Sequence, residues 1–381
     1  MSLPQLEPAS AKAFDLLQEH RQVYDDLLAV LAGRAPLPLT LRSVDESRAL
    51  AKRLLDCWRI MPAQPAAFYE ETLETILRPD DFQRVRNAWI ALTAFAKAQV
   101  VGVFGLTDRF ERHGLHYSLL KGAAASFRLY QEPHSRTSGD FDLAVARRDL
   151  GVAEELACEV GFRPAQKNEQ EDAFEPADPK VRAAVEAQHY ELGFMVRRLQ
   201  VTNLSAQTLD AIRATSAEPW TFQFWLDVDS RAPWCYSIVD IHHALSLDIG
   251  AEDLLATTQR VQVGRRTVSI PGDAWLAAHL VFKIYWEGVH SYGKGLYQFA
   301  DMVRMVPLLG VETFEALLTI LERHGMIAGA HYVFRRLPAF GVTLPDHVQA
   351  FVQDTYRPPQ GGEPTRLNDL GDMWPRLWGQ R

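Results

Sequence analysis

Only three cysteines occur in 381 residues: Cys57, Cys158 and Cys235 stand far apart, with no Cys-x-x-Cys pair. That scarcity argues against a disulfide framework or a thiolate zinc site, and points to reduced thiols packed as small hydrophobes in a cytoplasmic protein. A basic surplus is missing too. Forty Lys and Arg against 48 Asp and Glu leave a net charge of −8. Proteins that hold long polynucleotides neutralise phosphates with Lys and Arg, so a long nucleic acid is disfavoured as a partner. The most apolar long stretch, Trp89 to Leu106, is interrupted by Lys97 and Gln99 and reads as a buried helix, not a membrane span. The start, MSLPQLEPAS, has neither a basic beginning nor an apolar run, so no signal peptide is expected. His-Glu-x-x-His is absent as well. A metal site with nitrogen ligands is therefore not expected at His242 and His243, and His242 is expected to orient a neighbouring carboxylate or backbone group.

What is present is 47% hydrophobic and 23% charged, the balance of a globular chain with room for two or three domains. One stretch carries most of the chemistry. Leu119 to Tyr130 reads as strand end, glycine turn and helix, and Arg136 to Val145 as loop and second strand. In that second strand the period of two puts Phe141, Leu143 and Val145 on one face and Asp140, Asp142 and Ala144 on the other. Two carboxylates side by side repel, and a hard divalent cation between them accounts for the pairing. Upstream, Gly122 allows a tight turn into a helix whose first amides face an anion. An anion cradle beside metal-binding carboxylates suits phosphoryl or nucleotidyl transfer.

These residues resemble the DNA polymerase beta-type nucleotidyltransferase superfamily, and within it the bacterial group of uncharacterised nucleotidyltransferases. The shared pattern is Leu120-Lys121-Gly122, a helix ending near Tyr130, Arg136, and Asp140-Phe141-Asp142-Leu143. Better-known superfamily members have Gly-Ser at the turn and a shorter helix. The likeness covers residues 116 to 146 closely and extends more loosely to about Asp301. It implies a small mixed β-sheet, an NTP substrate and two Mg²⁺ (or Mn²⁺) ions held by Asp140, Asp142 and Asp240. Asp240, two places before His242, matches the third carboxylate, although the residues alone also allow a strand end. Lys121 and Gly122 would meet the nucleotide phosphates. Arg136 would brace a phosphate or the Asp pair, or form an internal salt bridge.

Along the chain, helices are expected over 10–33, 44–59 (Ser43 as N-cap), 65–78, 80–113 and 148–160. Residues 165–188 are acidic and read as a mobile loop, either solvated surface or a cover for the site. In the strand His189–Arg197, Tyr190, Leu192, Phe194 and Val196 take the apolar face and His189, Glu191 and Arg197 the other. In Tyr236–His243, Val239 and Ile241 face the core, opposite Asp240 and His242. A hairpin turns at Gly264-Arg265, helices follow over 273–287, 295–309, 312–324 and from 326, and a surface-wrapping tail begins at Pro345.

The expected fold class is α+β, a small mixed sheet flanked by helical regions. Residues 1–114 form the N-terminal helical region, 115–271 the catalytic domain, and 272–381 the C-terminal helical region and tail. Glu191, His242, Lys283 and Asp301 are candidates for the acceptor side, with Asp301 equally readable as a helix-surface acid. The acidic balance favours a small-molecule acceptor over an RNA end or a protein side chain. A glycosyltransferase with a metal-binding Asp-x-Asp would place βαβ units before the motif, where this chain has helices and a single strand. An inactive nucleotide-binding scaffold would have little reason to keep clustered carboxylates.

Overall fold

The longest apolar stretch folds as one helix because its ends are signalled in sequence. In the computed structural model, which describes residues 44–56, 58–63, 73–168, 173–216, 225–246, 249–287 and 297–354, it spans Pro79–His113 (α2). Proline occupies its first turn with Asp80 and Asp81, Arg112 and His113 end it, and Gly114 closes it at φ 71°. Ahead of it, Val44–Asp56 (α1) is tied to its start where Ser47 Oγ donates to Asp81 and accepts from the Arg78 amide. By length and hydropathy α2 could cross a membrane, yet 61% of its apolar window is buried inside the fold. It is the core helix against which the sheet packs.

That sheet has seven strands in the order β1 (Tyr117–Leu119), β2 (Phe141–Val145), β7 (Trp234–His242), β5 (Glu191–Gln200), β3 (Arg163–Asn168), β4 (Ala173–Pro176), with β6 (Trp225–Leu226) on the first residues of β7. β2 and β7 run parallel and the other pairs antiparallel, so the sheet is mixed and the α+β class stands. Phe141, Leu143, Val145, Val239 and Ile241 enter the main core, as their alternation predicts. α2 approaches β7 closely: a Cβ on Gly102 would strike Ser237 Oγ.

Lys121–Leu129 (α3) follows β1, Leu150–Glu159 (α4) follows β2, Ala206–Ser216 (α6) packs on α2, and β8 (Ala244–Ser246) pairs with β9 (Ile249–Gly250). Beyond the sheet, β10 (Gln259–Val263) and β11 (Arg266–Ile270) form the expected hairpin, with Gly264 at φ 60°. Asp273–Phe282 (α7), Tyr297–Met305 (α8), Val311–Arg323 (α9) and Ile327–Arg336 (α10) then pack together, with α7 and α8 also against α3. One continuous core runs from Leu50 to Val348.

Three expectations are corrected. The stretch 165–188 is not a loop where described: β3 and β4 pair as a hairpin, and Pro179–Gln188 (α5) is capped by Asp178, which accepts from the Lys180 amide at 2.7 Å. Its strands looked like loop because β3 buries none of its residues fully. Residues 346–353 are helical (α11) rather than the start of a tail. In β5 a bulge between Glu191 and Phe194, with Gly193 at φ 79°, slips the alternation by one place. Leu192 and Met195 therefore join the main core, Val196 packs on the opposite face with Tyr236 and Ile238, and Phe194 is 38% exposed. Cys235 is buried, which pushes its thiol up to about 12, and Cys158 is half-buried. Ser43, Cys57, the helix over 10–33 and residues from 355 onward lie outside the described residues.

Candidate active site

Parallel pairing of β2 with β7 sets Asp142 opposite Asp240, and the antiparallel neighbour β5 sets Glu191 opposite His242. Four polar side chains thus arrive on one sheet face from three strands. Asp142, Asp240 and His242 are buried, and each brings a ligand atom within 4.8 Å of the other two. His242 Nε2 lies 2.9 Å from Asp142 Oδ1 and 3.7 Å from Asp240 Oδ2, while its Nδ1 faces Glu191 Oε2 at 3.7 Å. Tyr190 stacks on the imidazole, with ring centroids 5.5 Å apart. Lys121 Nζ donates to Asp142 Oδ1 at 2.6 Å.

The charges are not balanced. Burial raises the Asp142 carboxyl, but Lys121 and the His242 hydrogen bond outweigh it and hold the group well below the carboxylate range. Asp240 goes the other way: burial first, then Glu191 and Asp142, push it well above. Its Oδ1 is buried with no hydrogen-bond partner, as is His242 Nδ1. Asp140 sits just before β2, outside the trio but within its field; burial and Asp142 raise it against Lys283, Lys121 and Arg59. Buried carboxylates with an unused oxygen and a shared face are a donor set that fits a divalent cation, which supplies the missing positive charge. Asp142, Asp240 and His242 are grouped so that they could hold it, with Asp140 alongside. A nitrogen donor thus joins the set where only carboxylates were expected, because the β7 alternation puts His242 on the same face as Asp240.

The turn ahead of α3 works differently from the expectation. Gly122 is not its left-handed residue; Lys121 is, at φ 46°. Glycine is needed at 122 because a Cβ there would collide with the Arg136 guanidinium. Arg136 forms an internal salt bridge, one of its expected roles. It is buried against Asp301, with Nε and Nη2 each 2.8 Å from a carboxylate oxygen, and Tyr130 donates its hydroxyl to Asp301 at 2.7 Å. Asp301 is accordingly not a surface acid: it is buried and anchors the loop before Asp140 to α8. That loop is held a second time, where the Thr137 amide donates to the Arg59 carbonyl at 2.7 Å.

The family of uncharacterised nucleotidyltransferases matches residues 70–340. The chain belongs to that family. No curated protein matches. Among solved structures, the antigenic nucleotidyltransferase-like protein from Paracoccidioides brasiliensis shares 11% identity with this family member over 68% of this chain and 97% of its own, at a TM-score of 0.32.

One residue of the site, His279, escapes the sequence reading, whereas Lys283 is already among its acceptor-side candidates. His279 on α7 is buried, with Nδ1 unpartnered, and burial with Lys121 and Lys283 depresses it to about 3. Lys283 lowers both Asp140 and Asp142. The available signal was spacing: 279 and 283 are four apart and share a helix face. Tyr190 is expected on an apolar face, but it lies in a bend just ahead of β5, outside the strand's alternation, and stacks on His242. A groove lined by Trp89, Lys97, Leu199 and Asn203 lies at the far end of β5 and belongs to none of this.

Proposed function

We propose that this protein transfers a nucleoside monophosphate from an NTP to a hydroxyl or phosphate of an acceptor, releasing pyrophosphate. The observation that carries the reading is the register of β2 and β7, which sets Asp142 beside Asp240 and His242 in a family of nucleotidyltransferases. The first amides of α3, which starts at Lys121, and the Lys121 ammonium would meet the triphosphate. His242 holds Asp142 in place from one side and Lys121 from the other. Asp240 takes the proton of the acceptor hydroxyl, a role suited to a carboxyl whose basicity burial and Glu191 have raised. Asp142, Asp240 and His242, with Asp140 alongside, would hold Mg²⁺ or Mn²⁺, two ions in the full site, which would supply positive charge for the departing pyrophosphate and lower the pKa of the acceptor hydroxyl. The net charge of −8 favours a small-molecule acceptor over an RNA end or a protein side chain.

The test is incubation with each of the four alpha-labelled NTPs, Mg²⁺ and pools of small-molecule, RNA and protein acceptors. The expected result is pyrophosphate release with label on one pool. A protein that releases none, and whose melting temperature rises with UDP-sugars but with no NTP, would contradict the proposal.

A further inference from the structure

Lys121 stands between two sites. Its ammonium reaches Asp142 Oδ1, the same oxygen that meets His242 Nε2, so one carboxylate of the metal-competent trio already carries a cation. The pair is largely out of water, with side-chain exposures of 18% for Lys121 and 6% for Asp142. The ammonium pulls the Asp142 carboxyl down and works against the raising of Asp140 and Asp240, so its field reaches all three. Its backbone begins α3 at φ 46°, and the Arg136 guanidinium packed on Gly122 leaves that turn no room to shift. The lysine therefore springs from the helix end that would meet an anion, yet its charge is engaged by a metal ligand.

A bare dication entering the trio competes with the ammonium for Asp142. Separating them would leave a mostly buried ammonium without its partner, which is costly. A triphosphate removes that cost, because its phosphate oxygens accept the ammonium as the carboxylate gives it up. We infer that Lys121 couples metal and nucleotide: it opposes the divalent ion alone, favours the ion together with a nucleoside triphosphate, and so makes their binding mutually dependent. The inference rests on the nucleotidyl-transfer reading and names the group that enforces joint binding. By linkage, the metal must strengthen triphosphate binding by the same factor as the triphosphate strengthens metal binding.

Other roles for the lysine give other signatures. A lysine that only contacts phosphate leaves metal affinity alone when removed. One that only neutralises Asp142 leaves nucleotide affinity alone. A purely structural one weakens both. The shared lysine gives opposite signs.

The experiment uses the full chain and Lys121→Met. Mn²⁺ binding is followed by loss of the free-ion electron paramagnetic resonance signal, and binding of a non-hydrolysable triphosphate with saturating Mn²⁺ by calorimetry. In the variant, Mn²⁺ alone should bind roughly tenfold tighter and the Mn²⁺–triphosphate roughly tenfold weaker, within the usual range of coupling energies. Lys121→Gln, which can still donate to Asp142, should show the same signs with smaller changes. The parent supplies a check that needs no variant: its Mn²⁺ affinity must rise when the triphosphate is present. Equal parent affinities, or changes of the same sign in the variants, overturn the coupling. A parent that binds no triphosphate with any divalent ion overturns the nucleotidyl-transfer reading, and this inference with it.

Discussion

Two buried charge clusters lie on either side of α3, and they are built to opposite rules. In the first, Arg136 meets Asp301 through three hydrogen bonds while the Tyr130 hydroxyl adds a fourth, and the Arg304 guanidinium covers the Tyr130 ring at 4.6 Å. One cation meets one carboxylate. In the second, Asp140, Asp142, Asp240 and Glu191 surround His242 and Lys121, an Asp240 oxygen goes unused, and two carboxyls are driven upward. A satisfied cluster rigidifies; an unsatisfied one stores a demand for a ligand. The difference separates what holds the site from what the site does.

If that division is right, breaking the first cluster should cost stability. Arg136→Met leaves the Asp301 carboxylate buried without its cation, and should lower unfolding free energy by about 3–5 kcal/mol in a denaturant titration. Arg136→Met/Asp301→Leu should cost less than the sum of the two single changes, since the second removes the stranded charge. Additive losses would remove the clamp from the account.

His279 sharpens the comparison, because it belongs to the second cluster and resists charge. Its folded value, near 3, lies below the unfolded one, so the unfolded chain takes up a proton that the native chain refuses as the pH falls below 6.5. Its share of stability is complete above that value and lost as pH drops toward 3. Between roughly pH 7 and pH 5 the parent should lose about 2 kcal/mol more than His279→Gln. Parallel pH profiles would show that His279 is not held neutral.

The smallest effect belongs to a half-exposed pair. Asp273 accepts from Arg128 Nε and Nη2 at 2.8 Å and from Gln259 Nε2 at 2.9 Å; against the opposing pull of burial, these partners lower its carboxyl. Its contribution is present above the unfolded value of 3.8 and is lost as the pH falls through the lowered native one. Asp273→Asn should cost only about 1 kcal/mol at neutral pH, since water screens the pair and the α7 N-terminus adds a modest term. A loss as large as that of Arg136→Met would erase the distinction between buried and exposed pairs.

The active half of this comparison was the legible half. Alternation over Phe141–Val145 and Tyr236–His242 has a single period, and it placed both aspartates and His242 on the face they occupy. The clamp was illegible because its partners are 165 residues apart, and nothing local in either segment records the pairing. Lys121 was misread for a different reason: non-glycine residues rarely take positive φ, so the turn was assigned to Gly122, whose lack of a side chain serves Arg136 instead. In β5 one extra residue at the bulge moved Phe194 and Val196 off the expected apolar face, and Tyr190, in the bend ahead of the strand, stacks on His242. Polar β3 and β4 failed the apolar test for strands because neither β3 face is deeply covered.

The central claim is that the second cluster trades stability for chemistry, and Asp240 tests it most directly. Neutralising it removes repulsion from Glu191 and Asp142 but also the group proposed to accept the proton. Turnover, followed as pyrophosphate release, and melting temperature should be measured together on Asp240→Asn. The account predicts turnover lower by roughly two orders of magnitude or more with a melting temperature unchanged or raised. Near-parent turnover, or a melting temperature several degrees lower, would contradict it.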